Sequence, residues 1–233
     1  MDSWPTFAAI AHACGVDTVE SASFEHEVHA ASAVNGNPSC TDTMVLGGNR
    51  ALAIEAKWTE PRYPSVIARL EPPKNMTNEG ARQGETRRRK SFVQGWLTLM
   101  ETYVGGSLGV DDFGECVYQV VHRAGSACGM GKPPALAYLH FSAPHEQRNS
   151  ASSDDYRSDL AAVHARLGSP ADFPFFVVDL PMQPTGAFKA ISGLKKGARE
   201  TGRAVRNALR NGVLFDFGEP TVVRIDSREE KHA

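Results

Sequence analysis

Short apolar, β-branched runs recur along this chain, and between them lie stretches in which apolar residues return every three or four positions. Thr41-Asp42-Thr43-Met44-Val45-Leu46 and Arg50-Ala51-Leu52-Ala53-Ile54-Glu55-Ala56-Lys57-Trp58 read as two strands. Gly47-Gly48-Asn49 between them tolerates positive φ and suits a hairpin turn. Ala135 to Phe141 and Pro174 to Leu180 read as two further strands. Helical spacing is carried by Phe24, Val28 and Ala31 within about 17–34, with Asn35-Gly36-Asn37-Pro38 as a stop. It returns through Phe92, Trp96, Leu99 and Tyr103 within Glu79 to Val104, and through Phe113, Val117, Val120 and Ala124. Asp112 and Glu115 resemble a capping pair for that last helix, and Gly125 sits where a C-terminal cap belongs. The expected order is α, β, β, α, β, β.

On the second strand, alternation puts Leu52, Ile54, Ala56 and Trp58 on one face, read as core. Ala51, Ala53, Glu55 and Lys57 share the other face. Glu55 and Lys57 therefore project the same way, with Cα atoms roughly 6.7 Å apart. Asp42 on the neighbouring strand can approach Glu55 across the hairpin. Two carboxylates repel unless a cation intervenes, and hard oxygens of this kind suit Mg²⁺, with waters and a substrate phosphate completing its octahedron. The other reading is an ordinary solvated hairpin face, but a charged pair inside an otherwise apolar strand points to a sheltered cleft.

The acid, turn and acid-x-lysine pattern resembles the PD-(D/E)xK nuclease superfamily over about residues 17–142, with Thr41 where the family's proline stands. The resemblance implies a restriction-endonuclease-like α/β (α+β) fold, a central mixed sheet flanked by helices in the order αβββαβ with insertions. It also implies divalent-metal-dependent hydrolysis of phosphodiester bonds. Asp42, Glu55 and the Ala56 carbonyl would hold Mg²⁺, with Mn²⁺ as the substitute ion, and Lys57 would orient the attacking water. Glu27, with Glu25 in reserve, would add an acid from the first helix. Gln119 and Arg123 would assist from the helix after the catalytic strands. The expected partner is DNA, with RNA left open and a homodimer suited to cutting both strands. A restriction-type or defence endonuclease is the reading this favours. The alternative is a non-catalytic nucleic-acid-binding protein that keeps the fold.

Composition changes this picture little. A chain of 233 residues with 41% hydrophobic content can bury one core, read as a single nuclease-like domain with an insertion at about 60–110. A formal net charge of -2 excludes a protein that coats nucleic acid through bulk charge. Phosphate contacts then need local patches. Arg87, Arg88, Arg89 and Lys90 form one. Arg199, Arg203, Arg206 and Arg210 step by four, three and four along a basic helical segment at about 186–211 and form the other, a rail suited to a phosphate backbone. Glu146 to Asp159 is polar and reads as a mobile loop. Cys14, Cys40, Cys116 and Cys128 show no metal-site spacing and read as reduced thiols. His26, Glu27 and His29 lack the H-E-x-x-H spacing of a zinc site, and neither a phosphate-binding loop nor a G-x-S-x-G elbow is present. No charged leader and no apolar run of membrane-spanning length is seen, so a cytoplasmic, membrane-free protein is expected.

Overall fold

A computed structural model describes residues 4–31, 37–142, 150–192, 194 and 199–225. A mixed sheet runs through them in the order β1-β2-β3-β4-β5-β6, with β7 also paired to β5. Its chain order is α1 (Trp4–Ala13), β1 (Val19–Val28), β2 (Ser39–Gly47), β3 (Ala51–Lys57), α2 (Val66–Leu70) and α3 (Glu79–Val104). After a single 3-10 turn at Val110–Phe113 come α4 (Tyr118–Cys128), β4 (Pro134–Ser142), α5 (Ser153–Arg166) and β5 (Phe175–Pro184). The chain then forms α6 (Gly186–Ser192), α7 (Arg199–Asn211), β6 (Phe215–Phe217) and β7 (Thr221–Arg224). Strands β1, β2 and β3 form an antiparallel meander, whereas β3, β4 and β5 run parallel. The α-β-β-β order followed by helices and a parallel strand is thus present.

The hairpin forms where expected. Gly47 donates to the Arg50 carbonyl at 2.8 Å, and Asn49 ties the turn to the end of α1 by donating to the Gly15 carbonyl at 3.0 Å. Gly47 is required by space, because a Cβ there would meet Val16 Cγ1 at 2.4 Å. Helix α3 matches its expected bounds, running from an Asn78 cap to Gly105 in the left-handed region.

Three expectations are corrected. The described part of the segment at 17–34 is not a helix, because Val19–Val28 pairs with β2 as the sheet's outer strand; 32–34, and with them Asn35 and Gly36 of the expected stop, lie outside the described residues. Phe24, whose spacing suggested a buried stripe, is 74% exposed. Helix α4 starts at Tyr118, behind an extended Val117 that offers no side-chain cap, and passes through Gly125 to Cys128, so Asp112, Glu115 and Gly125 do not cap it. The polar stretch at 146–159 includes the start of helix α5, nucleated by a capping box between Ser152 and Asp155. Part of that stretch, 146–149, lies outside the described residues. The basic segment at 186–211 is helical where it is described, as α6 and α7, with 193 and 195–198 outside the described residues, and β6 and β7 follow it.

Both faces of the central strands are covered, so neither face of β3 is open to solvent. On one side Leu52, Ile54, Ala135, Ala137 and Phe176 pack with Ile10 and Cys14 at α1. On the other, Ala51, Ala53, Met44, Leu136 and Tyr138 pack under α3, α4 and α5. The second layer closes because Gly125 lets α4 approach α3, where a Cβ would lie 3.0 Å from both Cβ and Cε3 of Trp96. His122 sits at the same crossing, stacked on Tyr118 and edge-on to Trp96.

Gly125→Val is expected to lower stability by about 1–3 kcal/mol through overpacking, read from the urea midpoint. Burial, aided by Arg123 and Arg69, holds the His122 imidazole down at about 3, below its ordinary value of 6.5. The unfolded chain therefore takes up this proton first. The stability contribution is complete above about pH 6.5 and is lost as pH falls toward 3. His122→Phe should flatten stability against pH across that window, measured by urea unfolding at a series of pH values.

Candidate active site

The β2–β3 hairpin sets the two acids side by side. Thr43 pairs with Ile54, and continuing that antiparallel register by one residue brings Asp42 opposite Glu55. The Ala56 amide donates to Asp42 Oδ2 at 2.7 Å, which fixes the carboxylate against β3. Glu55 and Lys57 lie on the face covered by α3, α4 and α5, and both are almost fully buried, at 3% and 2% exposure.

Glu55 receives donors from two elements. Lys57 Nζ donates to Oε1 at 3.0 Å, and Gln119 Nε2 donates to the same oxygen at 2.8 Å. Arg123 Nε donates to Oε2, and its Nη1 donates to the Ser39 hydroxyl. Gln119 and Arg123 stand one turn apart on α4, so the helix grips the carboxylate through a single face. Burial pushes the Glu55 carboxyl above its usual range; Arg123 and Lys57 oppose that shift, and the charge of Asp42 adds to it. Lys57 is further enclosed by Tyr63 and Tyr138, whose ring centroids lie 4.9 and 5.7 Å from its ammonium.

The site is wider than its sequence pattern. In the parallel register Glu55 pairs with Tyr138, while Lys57 pairs with His140 and His140 with Asp179. His140 Nδ1 lies 3.0 Å from Asp179 Oδ1, and Asp179 Oδ2 accepts from Ser153 at 2.8 Å and Arg157 at 3.3 Å. Lys57 and His140 stand toward the carboxyl ends of parallel strands, where α/β sheets hold their ligands, and Asp179 lies midway along β5. The signal for His140 was a titratable residue within an apolar strand, the criterion that singled out Glu55 and Lys57. Asp179 carried the same signal within Pro174 to Leu180, whereas Ser39 carried none.

The other expected residues do not join the centre. Glu27 is exposed on β1 opposite Cys40, because its segment is a strand and not the first helix. Glu25, the reserve, falls between the pairs Phe24–Thr43 and His26–Thr41, beside Asp42 in register, but its φ of 48° breaks the strand geometry and it is exposed. Arg88 and Arg89 pair with Glu85, Arg89 also bonds the Arg69 and Glu71 carbonyls, and Lys90 pairs with Asp111. Most of that patch is engaged locally; Arg87 is exposed. On α7, Arg203, Arg206 and Arg210 are exposed. The Arg199 side chain, Lys195 and Lys196 lie outside the described residues. The four cysteines are free thiols.

Among the described residues no group of three or more His, Cys, Asp or Glu side chains could hold a metal, so a closed zinc-type site is not formed. What Asp42, Glu55 and the Ala56 carbonyl offer is a sparse, hard-oxygen set. A carboxylate has about four lone-pair positions, of which Glu55 commits three to its own chain. The hydroxyl of Tyr138, register partner of Glu55, is sealed from solvent without a hydrogen-bond partner. The oxygens left to Asp42, Glu55 and the Ala56 carbonyl would suit only an ion that takes few protein ligands, as Mg²⁺ does.

Arg123→Met should cost about 3–5 kcal/mol, because it removes one partner of a buried ion pair. The double variant with Glu55→Gln should recover much of that loss, measured as a double-mutant cycle in urea.

The family described as "Domain of unknown function (DUF6946)" matches residues 6–174. No curated protein and no solved structure matches the chain.

Proposed function

The chain belongs to that family, and since its description names no chemistry, we propose from the site alone that the protein is a divalent-metal-dependent nuclease. Its substrate on this reading is the phosphodiester bond of DNA, and its type a restriction or defence endonuclease on a PD-(D/E)xK-like core. One observation carries the reading: Asp42, Glu55 and Lys57 meet on the hairpin, with Gln119 and Arg123 of α4 converging on the same carboxylate.

Asp42, Glu55 and the Ala56 carbonyl would hold Mg²⁺ or Mn²⁺. The ion would supply a bound water of lowered pKa and charge neutralisation at the phosphate. Gln119 and Arg123 fix the orientation of Glu55. Lys57 is a compact point charge held beside Glu55, suited to orienting the attacking water and offsetting charge that develops on the phosphate. The exposed arginines of α7 suit backbone contacts that weaken with salt. A cytoplasmic setting, DNA as partner and a homodimer for duplex cutting belong to the same reading. Among the described residues no helix is long and apolar enough to cross a membrane.

A second reading is supported by the closure of the Glu55 network, whose charge is met among the described residues by Lys57 and Arg123. On that reading the cluster is structural and the protein binds nucleic acid without cutting it.

Supercoiled plasmid, linear duplex and single-stranded DNA incubated with Mg²⁺, Mn²⁺ or EDTA separate the two. The nuclease reading expects metal-dependent products from wild type. It expects a loss of about 10²-fold or more with Asp42→Asn, which keeps an acceptor for the Ala56 amide, and with Lys57→Met, which keeps volume at a buried position. Equal cleavage by wild type and both variants would contradict it.

A further inference from the structure

We propose that a second site, at the opposite end of β3, binds the phosphate group of a small phosphorylated molecule. A cavity of about 340 Å³ lies where the end of α1 meets the starts of β3 and β5 and the strand β7. Cys14, Gly15, Phe176 and Val222 form its uncharged walls, and Arg50 and Arg224 bring two guanidinium groups to it. No carboxylate lines it.

The condition of Arg50 is what calls for a ligand. Its Nε and Nη1 are sealed from solvent and have no hydrogen-bond partner among the described residues. Gly15, at φ 84°, lies so close that a Cβ there would sit 3.7 Å from Arg50 Cζ. These two nitrogens of a half-buried side chain are thus packed against backbone without an acceptor. Buried donors left unsatisfied destabilise a fold. An anion in the adjoining cavity would supply acceptors to these donors after a small side-chain shift, because a guanidinium fork matches phosphate oxygens in bidentate fashion. The volume lies at the lower end of small-molecule pockets, so there is room for a phosphate with a compact organic body against Phe176 and Val222.

This site is separate from the acid-lysine cluster. Arg50 precedes Glu55 by five residues, roughly 16 Å along a strand, and by alternation belongs with Leu52 and Ile54 on the α1 face. The inference therefore does not rest on the nuclease reading.

Isothermal titration of wild type, Arg50→Met, Arg224→Met and Asp42→Asn with inorganic phosphate, AMP and adenosine tests it. Oligonucleotides bearing a 5′-phosphate or a 5′-hydroxyl are titrated in parallel. Wild type and Asp42→Asn should bind phosphate and AMP saturably and adenosine not at all. Arg50→Met should bind about ten- to a hundred-fold more weakly, the worth of a charge-assisted hydrogen bond. Its ligand-free stability should match or exceed wild type, since unsatisfied donors are removed; if it fails to fold, Arg224→Met carries the comparison. Saturation only by the 5′-phosphorylated oligonucleotide would identify a strand end as the source of the same phosphate. No binding of any phosphate by wild type, or equal binding by both arginine variants, would overturn the proposal.

Discussion

A carboxylate buried within a sheet must have its charge met, and around Glu55 that requirement fixes the arrangement of three elements. An isolated ionised acid in this position would simply take up a proton. Lys57 meets the charge from the same strand, but a single partner leaves lone pairs unsatisfied. Gln119 and Arg123 complete the set, and they can do so only if α4 lies directly across β3. Arg123 then reaches Ser39 on β2, so the hairpin and the helix are joined through one guanidinium. The close crossing of α4 and α3 at Gly125 and Trp96 holds that helix in place from behind.

Much of the sheet was legible because its strands are short apolar runs punctuated by glycine and proline. The hairpin, β4, the start of β5 and the full extent of α3 follow from such signals. Strand β1 was missed because Phe24, Val28 and Ala31 happen to fall at helical spacing in a polar segment. There the decisive force is pairing with β2, which no local pattern in the segment itself encodes. Helix α5 was missed for the opposite reason: its polar residues hid a buried stripe of Tyr156, Leu160 and Val163. Gly125 read as a cap because glycine commonly ends helices, whereas here its role is close helix contact, a property of the partner and not of the local sequence.

The centre of the candidate site was legible to the same degree. Period-two alternation brings Glu55 and Lys57 together, and the turn brings Asp42 to them, so both follow from local geometry. Gln119 and Arg123 at one-turn spacing also follow once α4 packs on β3. Glu27 failed because its role depended on a helix that is a strand. The row Lys57, His140 and Asp179 arises from parallel pairing between segments far apart in sequence, and only the register discloses it. The basic run on α3 shows the limit of charge counting, since Glu85 and Asp111 engage most of it.

Whether the acid cluster is a metal site or a closed structural network is the central question, and diffraction answers it without reference to any substrate. Crystals of the protein soaked in Mn²⁺ and measured at the manganese edge should show an anomalous peak between Asp42 and Glu55, near the Ala56 carbonyl. Crystals without such a peak at high Mn²⁺, with Glu55 still bonded to Lys57, Gln119 and Arg123, would contradict the metal-dependent reading.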